Sequence, residues 1–239
     1  MDGALIETEP AAKPKKRSAF IKSRGLRFPK DRRFIRGQLR GALRDGKYEG
    51  KEAEAALSVV RDGDTVIELG AGIGFMSTLL ARHRKLTALH AFEANPHLIP
   101  YIRSVHEANG LTNVHLTNAI LGKRKGSAEF HVRANLLASS LTPPRGKDSA
   151  ELVRVDVLNG NQVLKETGAT VLVCDIEGAE AELLPELDLS GLRAAVIELH
   201  PQWIGPEGVN KVFAAFMAAG LAYYARGSTK KVVSFRRSW

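Results

Sequence analysis

The sequence predicts an α/β protein with an open, mostly parallel β-sheet that is covered by helices on both faces. Short, β-rich apolar runs alternate with helical stretches from residue 65 onwards. A glycine-rich segment at residues 70–74 follows the first of these runs and opens a helical stretch. Alternation of this kind is typical of parallel sheets, whose two faces are both buried by helices.

The individual elements follow from apolar spacing and from turn residues. Apolar runs predict strands at residues 65–69, 86–92, from 114 onwards, 126–133, 152–157, 171–174 and 194–199. Helical spacing predicts helices at residues 51–60, 75–84, 97–109, from about 179 onwards, and 209–219. Residues 221–225 and 232–235 flank a Gly-Ser-Thr turn and predict a closing pair of strands. A loop with Ser139, Ser140, Pro143 and Pro144 interrupts the alternation.

We expect three regions along the chain. Residues 1–30 are basic and poor in apolar side chains, which predicts a flexible arm. Residues 31–60 carry apolar side chains at helical spacing and predict a helical lead-in, although Gly37 and Gly41 weaken its first part. Residues 61–239 contain the strand–helix alternation and form the main domain.

Composition excludes several classes of protein. The chain has 239 residues, of which 44% are hydrophobic, and a single cysteine, Cys174. Collagen-like, coiled-coil and wholly disordered proteins differ from this composition, and one cysteine supports neither an intrachain disulfide framework nor a cysteine-rich zinc site. No run approaches the roughly 20 apolar residues of a membrane helix, and residues 1–17 lack the features of a secretory signal. We therefore expect a cytoplasmic protein without a transmembrane segment.

The net charge of +9 is concentrated at one end of the chain. Residues 1–47 contain 14 Lys and Arg against 5 Asp and Glu, whereas the remainder has 21 of each. Three interpretations stay open: a solvated tail, contact with a nucleic acid, and contact with an anionic membrane or glycolipid surface.

The motif E-L-G-A-G-I-G at residues 68–74 is the most informative one for ligand binding. Gly70 and Gly72 permit a sharp turn and a close approach of a ligand to the backbone. Ligands of open α/β sheets bind at the carboxyl ends of the strands. The dinucleotide fingerprint requires a glycine where this chain has Phe75. Gly74 instead completes the pattern E-x-G-x-G-x-G, which resembles the first motif of S-adenosylmethionine-dependent methyltransferases.

Glu93 is placed to bind the sugar of such a cofactor. It ends the second predicted strand, 19 residues after Gly74. An acidic residue about 20 residues beyond the glycine turn binds ribose hydroxyls in nucleotide-binding sheets. The two oxygens of its carboxylate can accept hydrogen bonds from both hydroxyls. Together with Glu68, this spacing predicts a nucleoside cofactor.

A second motif, D-I-E-G-A-E at residues 175–180, follows a buried apolar run. It resembles the hallmark D-[VI]-E-G-[AH]-E of the FkbM family of methyltransferases. The resemblance extends over residues 48–199 and includes Y-E at 48–49, F-E-A-N-P at 92–96, A-I-L-G at 119–122, S-S-L at 139–141 and V-I-E-L at 196–199. The chain departs from the family at Glu68, where Asp is frequent, and at Ala94, where Pro is usual.

The resemblance implies a Rossmann-like class I methyltransferase fold, with a seven-stranded, mostly parallel sheet whose last strand is antiparallel. It makes residues 61–239 a methyltransferase domain with S-adenosylmethionine as the cofactor. The implied reaction is O-methylation of a hydroxyl, so we expect a small-molecule or glycan acceptor such as a sugar or glycolipid. The cofactor-binding candidates are Tyr48, Glu49, Glu68, Gly70, Gly72, Gly74, Glu93, Asn118 and Asp175.

Asp175, Glu177 and His200 are the catalytic candidates, because each is expected at a strand end above the cofactor. A hydroxyl acceptor needs alignment with the activated methyl group and a general base. Alternatively, Glu177 stabilises the amino terminus of the next helix through its charge. His200 alternatively forms only a hydrogen bond within the turn that contains it. Asn118 is a candidate for binding adenine or, equally, for capping its loop. A divalent cation held by Asp175 and Glu177, with waters completing its coordination, stays open as an aid to the reaction, but nothing in the sequence requires it and no metal site is assigned. The seven histidines lack zinc-binding spacing.

Two other functions remain as alternatives. The basic N-terminal region is compatible with a methyltransferase that acts on RNA or protein, and a cofactor-binding scaffold without activity would share the glycine motif. The chain carries D-I-E-G where base-aminating enzymes have an Asn/Asp-Pro-Pro-aromatic loop. Its aromatic content of 6% provides no obvious platform for stacking bases.

Overall fold

The computed structural model describes residues 18–133 and 150–238. Its strands are β1 (Phe20–Ser23), β2 (Leu26–Pro29), β3 (Thr65–Leu69), β4 (Ala88–Glu93), β5 (Val114–Asn118), β6 (Ile120–Gly122), β7 (Gly126–Arg133), β8 (Ala150–Asn159), β9 (Val171–Cys174), β10 (Ala194–Glu198), β11 (Ala222–Tyr223) and β12 (Val232–Arg236). Its α-helices are α1 (Gly37–Arg44), α2 (Gly50–Val59), α3 (Phe75–His83), α4 (Ile99–Ala108), α5 (Gly160–Thr167), α6 (Glu180–Leu183) and α7 (Pro201–Ala218). Short 3₁₀ helices lie at Leu184–Glu186, Leu189–Gly191 and Ala225–Gly227.

A seven-stranded sheet forms the centre of the fold, in the order β11-β12-β10-β9-β3-β4-β5. Strands β10, β9, β3, β4 and β5 are mutually parallel. Strand β12 is antiparallel to both of its neighbours, β10 and β11. The predicted class I methyltransferase topology, with its antiparallel last strand, is confirmed. The chain progresses in opposite directions from β3, and such a switch point creates a crevice at the carboxyl ends of the strands.

The strand register brings three separate chain segments to one point of that edge. Leu69 pairs with Phe92 of β4 and with Cys174 of β9. Because these strands are parallel and in register, the residues that follow them emerge side by side. The glycine turn, Glu93 and Asp175 therefore lie next to one another.

Both faces of the central sheet are buried. Along β3, Val66 packs into an apolar cluster with α2, α3 and α4, whereas Ile67 and Leu69 pack into a second cluster with α5 and α7. Side chains of a strand alternate between faces, so one short apolar run supplies both clusters. Helices cover both faces, as predicted.

The structure differs from the expected flexible arm at residues 1–30. Of this range it describes residues 18–30, in which β1 and β2 pair as an antiparallel hairpin. Ile21, Leu26 and Phe28 are buried, and the ring of Phe28 stacks on that of Phe75 with the centroids 6.0 Å apart.

Alternation explains why net charge does not predict this hairpin. Lys22 and Arg27 are exposed, whereas the residues next to them in the two strands, Ile21, Ser23, Leu26 and Phe28, are buried. Gly25 has φ +80°, which permits the tight turn. Asn109, the C-cap of α4, also fixes the hairpin, because its side chain accepts from the backbone N–H of Arg27 at 2.9 Å and donates to the Arg27 carbonyl at 2.8 Å.

A smaller sheet precedes β9, in the order β6-β8-β7. Strands β7 and β8 correspond to the predicted strands at residues 126–133 and 152–157. Strand β6 and helix α5 are not predicted from the sequence, since β6 has three residues and α5 only two turns. The side chain of Asn159 caps α5 by accepting from the N–H of Gln162 at 2.8 Å. The expected loop with Ser139, Ser140, Pro143 and Pro144 lies outside the described residues.

Helix α7 begins at Pro201, well before the predicted helix at 209–219. Gly205 has φ 63° and ψ 178° and interrupts the helix. Pro206 follows it. These two residues interrupt the helical spacing of apolar residues, so the sequence pattern predicts only the part of the helix after them. Among the residues described, no helix combines the length and the apolarity that crossing a bilayer requires.

The hairpin leads to a prediction about stability. Replacing Phe28 by Ala removes a fully buried ring, and such substitutions cost about 3–5 kcal/mol of unfolding free energy. Chemical denaturation measures this loss. Lys22→Ala on the exposed face of the same hairpin is the control and should leave the free energy of unfolding unchanged. Equal stability of the Phe28 variant and the wild type would show that the hairpin does not belong to the core.

Candidate active site

A cavity of about 360 Å³ opens at the carboxyl edge of the sheet. Apolar side chains form much of its wall, among them Phe92, Leu98, Ile120, Leu121, Phe130 and Ile176. The residues predicted for the site that line it are Tyr48, Glu49, Gly70, Gly72, Glu93, Asp175 and Glu177. Ligand pockets typically measure about 300–1,000 Å³ and combine an apolar wall with a few polar groups. The size and the lining of this cavity suit one small molecule.

Gly70 allows two strand ends to meet. It has φ +86°, and a Cβ atom on it would lie 1.8 Å from the carbonyl oxygen of Asp175. The N–H groups of Gly70 and Ala71 donate to the carbonyl of Phe92 at 2.9 and 3.2 Å. A side chain at position 70 would therefore separate β3 from β9 and change the cavity.

Gly74 does not line the cavity, although the sequence makes it a cofactor-binding candidate. It precedes α3 with φ +73°. A Cβ atom there would approach Cγ2 of Ile102 to 2.8 Å and Nε2 of His106 to 3.4 Å. The third glycine of the motif thus permits α3 to pack closely on α4.

Glu93 lies at the floor of the cavity, beneath the glycine turn. Its Oε2 accepts from the N–H of Gly72 at 2.8 Å, and its Oε1 accepts from the N–H of Asn95 at 2.7 Å. Burial raises the pKa of Glu93 to about 7, while these backbone hydrogen bonds oppose the rise. Both oxygens are fixed in position and keep lone pairs for a ligand.

Asn118 contributes to this corner from outside the cavity. Its side-chain nitrogen donates to the carbonyls of Glu93 and Ala94 at 2.8 and 3.0 Å, and the residue is exposed and does not line the cavity. This geometry agrees with the loop-capping alternative for Asn118. Recognition of adenine by its amide has no support here.

Glu68 lies behind the glycine turn instead of in the cavity. It is 2% exposed, and its Oε1 accepts from the N–H of Ser77 in the first turn of α3 at 3.1 Å. Burial raises the pKa of Glu68 to about 8, against the effect of that hydrogen bond. The carboxyl group of Glu68 connects β3 to α3 and does not line this cavity.

Tyr48 and Glu49 form the opposite wall of the cavity. The ring of Tyr48 meets that of Phe75 edge-on, with centroids 5.2 Å apart. Glu49 adopts the left-handed conformation, with φ 44°, at the start of α2. Burial and nearby carboxylates raise the pKa of Glu49 to about 8, although its hydrogen bond with Tyr48 lowers it.

Four carboxylates surround His200. Its Nδ1 lies 2.7 Å from Oε1 of Glu180. Its Nε2 lies 3.5 Å from Oε2 of Glu177 and 3.7 Å from Oδ1 of Asp175. Oε1 of Glu198 is 4.0 Å from the same nitrogen. Burial lowers the pKa of His200, but the Glu180 hydrogen bond and the surrounding carboxylates outweigh it, so the pKa is raised.

The three catalytic candidates are brought together, but only two of them reach the cavity. Asp175 and Glu177 line it, whereas His200 is 4% exposed and lies behind them. Burial, with the negative charges of Glu198 and Glu49, raises the pKa of Asp175 well above its usual range. His200 is therefore placed to position these carboxylates and does not itself line the cavity.

Sequence reasoning assigns no site role to Glu180 or Glu198. Both stand within the FkbM-like motifs, yet nothing in their spacing shows that one histidine joins them. Glu180 is fully buried at the start of α6, and Glu198 ends β10. The sequence offers one signal for Glu198, which is its position two residues before the candidate His200.

Comparison with solved structures agrees with this fold. Trm5b from Pyrococcus abyssi has a TM-score of 0.50 and 14% identity over 91% of this chain, which spans about 55% of the length of Trm5b. A transferase structure from Pyrococcus horikoshii has a TM-score of 0.52 and 15% identity, covering 90% of this chain and 70% of the other. At these identities the similarity shows the fold alone. No curated protein sequence matches this chain significantly.

A family model identifies the chemistry. The methyltransferase FkbM domain matches residues 68–227, which is about two thirds of the chain. The match contains the glycine turn, Glu93, the acidic segment after β9 and His200. The resemblance noted in the motifs is thereby confirmed. The chain belongs to the FkbM family and is an S-adenosylmethionine-dependent methyltransferase.

Proposed function

We propose that this methyltransferase acts on a hydroxyl oxygen of a sugar, a glycolipid or another small molecule. Asp175 carries the proposal. Its side chain lines the cavity, and its Oδ1 is buried without a hydrogen-bond partner among the described residues. A buried carboxylate oxygen without a donor is a strong acceptor for a proton, and methylation of an alcohol requires removal of one.

The residues present fit the cofactor of the family. Glu93 offers two ordered carboxylate oxygens to a ribose diol, and Gly70 and Gly72 leave the adjoining backbone open to a ligand. Ile120 and Phe130 provide apolar surface for a purine. When bound, S-adenosylmethionine supplies an activated methyl group. Gly74, Glu68 and Asn118 do not line the cavity, and we propose that they stabilise the segments that do.

Asp175 is proposed as the general base. The hydroxyl proton of the acceptor passes to Oδ1 of Asp175 as the oxygen becomes a nucleophile. A base works best when its pKa is close to the working pH, and burial beside other carboxylates moves the pKa of Asp175 in that direction. His200, at 3.7 Å, then holds this carboxylate in place.

Glu177 is proposed to contact the acceptor. Its side chain is 39% exposed at the rim of the cavity, and its backbone adopts φ 52°, which is unusual for a residue with a side chain. Such strain is maintained where it orients a functional group. The alternative that Glu177 stabilises α6 is less favoured, since Glu180 occupies the start of that helix.

One observation supports an RNA or protein acceptor instead. The hairpin and the turn after it expose cationic side chains, including Lys22, Arg27 and Arg32, and an exposed basic surface attracts nucleic acids and anionic membranes. A methyltransferase for RNA or protein is therefore the second candidate function. A scaffold without activity is less favoured, because Glu93 and Asp175 both face the cavity.

The first prediction about function concerns cofactor binding. S-adenosylmethionine should raise the melting temperature of the protein, and NAD should not, because only a ligand of the native state stabilises it. Glu93→Ala should weaken S-adenosylmethionine binding by about 10–100-fold, the equivalent of lost hydrogen bonds to a charged group. Calorimetric titration measures the affinity, with Glu107→Ala on the exposed side of α4 as the control. Unchanged affinity in the Glu93 variant would remove the ribose assignment.

The second prediction concerns the base. Asp175→Asn keeps the shape but cannot accept the proton, so kcat should fall by about 10²–10⁴ while the affinity for S-adenosylmethionine changes little. Wild-type activity should decline on acidification as Asp175 becomes protonated. Because its pKa is raised, the decline should occur above the ordinary carboxyl range near pH 4. Glu207→Gln, exposed on α7, is the control, and full activity of the Asn variant would exclude Asp175 as the base.

The third prediction concerns the acceptor. Protein supplied with S-adenosylmethionine carrying an isotopic methyl group should label the glycan, lipid or small-molecule fraction of a cell extract. The label should resist mild base, as an ether does, and should be absent with Asp175→Asn. Label in the RNA or protein fraction alone would instead support the second candidate function. Deleting residues 1–17 should then reduce transfer with a strong dependence on salt.

A further inference from the structure

A second, smaller cavity adjoins the one described above. It measures about 30 Å³ and shares Glu49, Leu69, Gly70 and Asp175 with the larger cavity. We name it the acidic cavity, because its polar side chains are the carboxylates of Glu49, Glu52, Glu68, Asp175 and Glu198. No lysine or arginine of the described residues lines it.

Three residues beside this cavity have the geometry of a ligand set. Asp175, Glu198 and His200 each offer one donor atom, and these atoms all lie within 4.8 Å of one another. Metal–oxygen bonds of hard divalent cations are about 2.0–2.6 Å long, so donors on opposite sides of an ion are about 4–5 Å apart. The three atoms are spaced to surround a single cation.

His200 is oriented as a metal ligand would be. A carboxylate only accepts hydrogen bonds, so the 2.7 Å contact with Glu180 assigns the ring proton to Nδ1. Nε2 faces Asp175, Glu177 and Glu198, which are acceptors as well, and in the neutral ring it carries the lone pair that a cation would bind. Metal-bound histidines almost always donate their other ring N–H to a carboxylate or carbonyl. Glu180 is in the position of that outer partner.

Unpartnered oxygens are an independent indication of a missing cation. Oδ1 of Asp175 is buried and has no hydrogen-bond donor among the described residues. Oε2 of Glu68, a residue that is 2% exposed and lines the acidic cavity, has none either. Buried polar atoms without partners are uncommon in native proteins, and a bound ion is one of the explanations for those that occur.

We propose that Asp175, Glu198 and His200 bind a divalent cation at the wall between the two cavities. The two carboxylates favour a cation of the oxygen-preferring class such as Mn²⁺, with water completing its coordination. The site revises the expectation from the sequence, which assigns no metal. Cation binding needs neither methyl donor nor acceptor, so it is measured separately from methyl transfer, although both proposals use the carboxylate of Asp175.

Titration of the full chain with Mn²⁺, followed by electron paramagnetic resonance, tests the site. The signal of free Mn²⁺ should decrease saturably to one ion per chain, without S-adenosylmethionine in the solution. Glu198→Gln and Asp175→Asn should each weaken binding by at least about tenfold, since even outer partners of a metal site contribute that much. Glu207→Gln, an exposed carboxylate on α7, should bind as the wild type does.

A measurement on the wild type alone covers the case in which a variant fails to fold. Bound Mn²⁺ should broaden the imidazole resonances of His200 beyond detection and affect those of His83, on the exposed end of α3, much less. Absence of saturable binding at millimolar Mn²⁺ would overturn the proposal and leave His200 as an imidazolium among carboxylates. Saturable binding that neither affects His200 nor depends on Glu198 and Asp175 would overturn it equally.

Discussion

The active-site edge depends on the close contact between the turn after β3 and the end of β9. Asp175 donates its backbone N–H to the carbonyl of Leu69 at 2.9 Å, and its own carbonyl occupies the space that a Cβ atom of Gly70 would need. Only glycine permits this approach. The distance between the cofactor-binding turn and the acidic segment is consequently set by contact between backbone atoms.

That contact concentrates carboxyl groups where water is scarce. Burial raises the pKa values of Glu49, Glu68 and Glu93 to between about 7 and 8. Burying ionisable groups costs free energy unless hydrogen bonds or opposite charges compensate. Backbone N–H groups compensate at Glu68 and Glu93, and His200 compensates at the acids after β9. The same crowding that destabilises the fold makes these carboxylates stronger bases.

The N-terminal hairpin illustrates how composition can mislead. Its net positive charge is real, but the charges occupy alternate positions and leave Ile21, Leu26 and Phe28 free to enter the core. A strand needs only every second residue to be apolar. The average hydrophobicity of residues 1–30 hides this pattern. Each strand has four residues, which is too few for an alternating pattern to be recognised in the sequence.

Local patterns in the sequence are sufficient to predict the strands of the central sheet, most of its helices, the glycine turn and the spacing to Glu93, because each of these depends on residues close together in the chain. The seven-stranded sheet with an antiparallel last strand is implied by the family resemblance. The positions of Gly74, Asn118 and Glu68 outside the cavity require the folded structure, since their neighbours come from other elements. The same holds for His200. Its four carboxylates lie on segments whose separation is fixed by how β9, β10 and α6 pack, and no spacing along the chain encodes that distance.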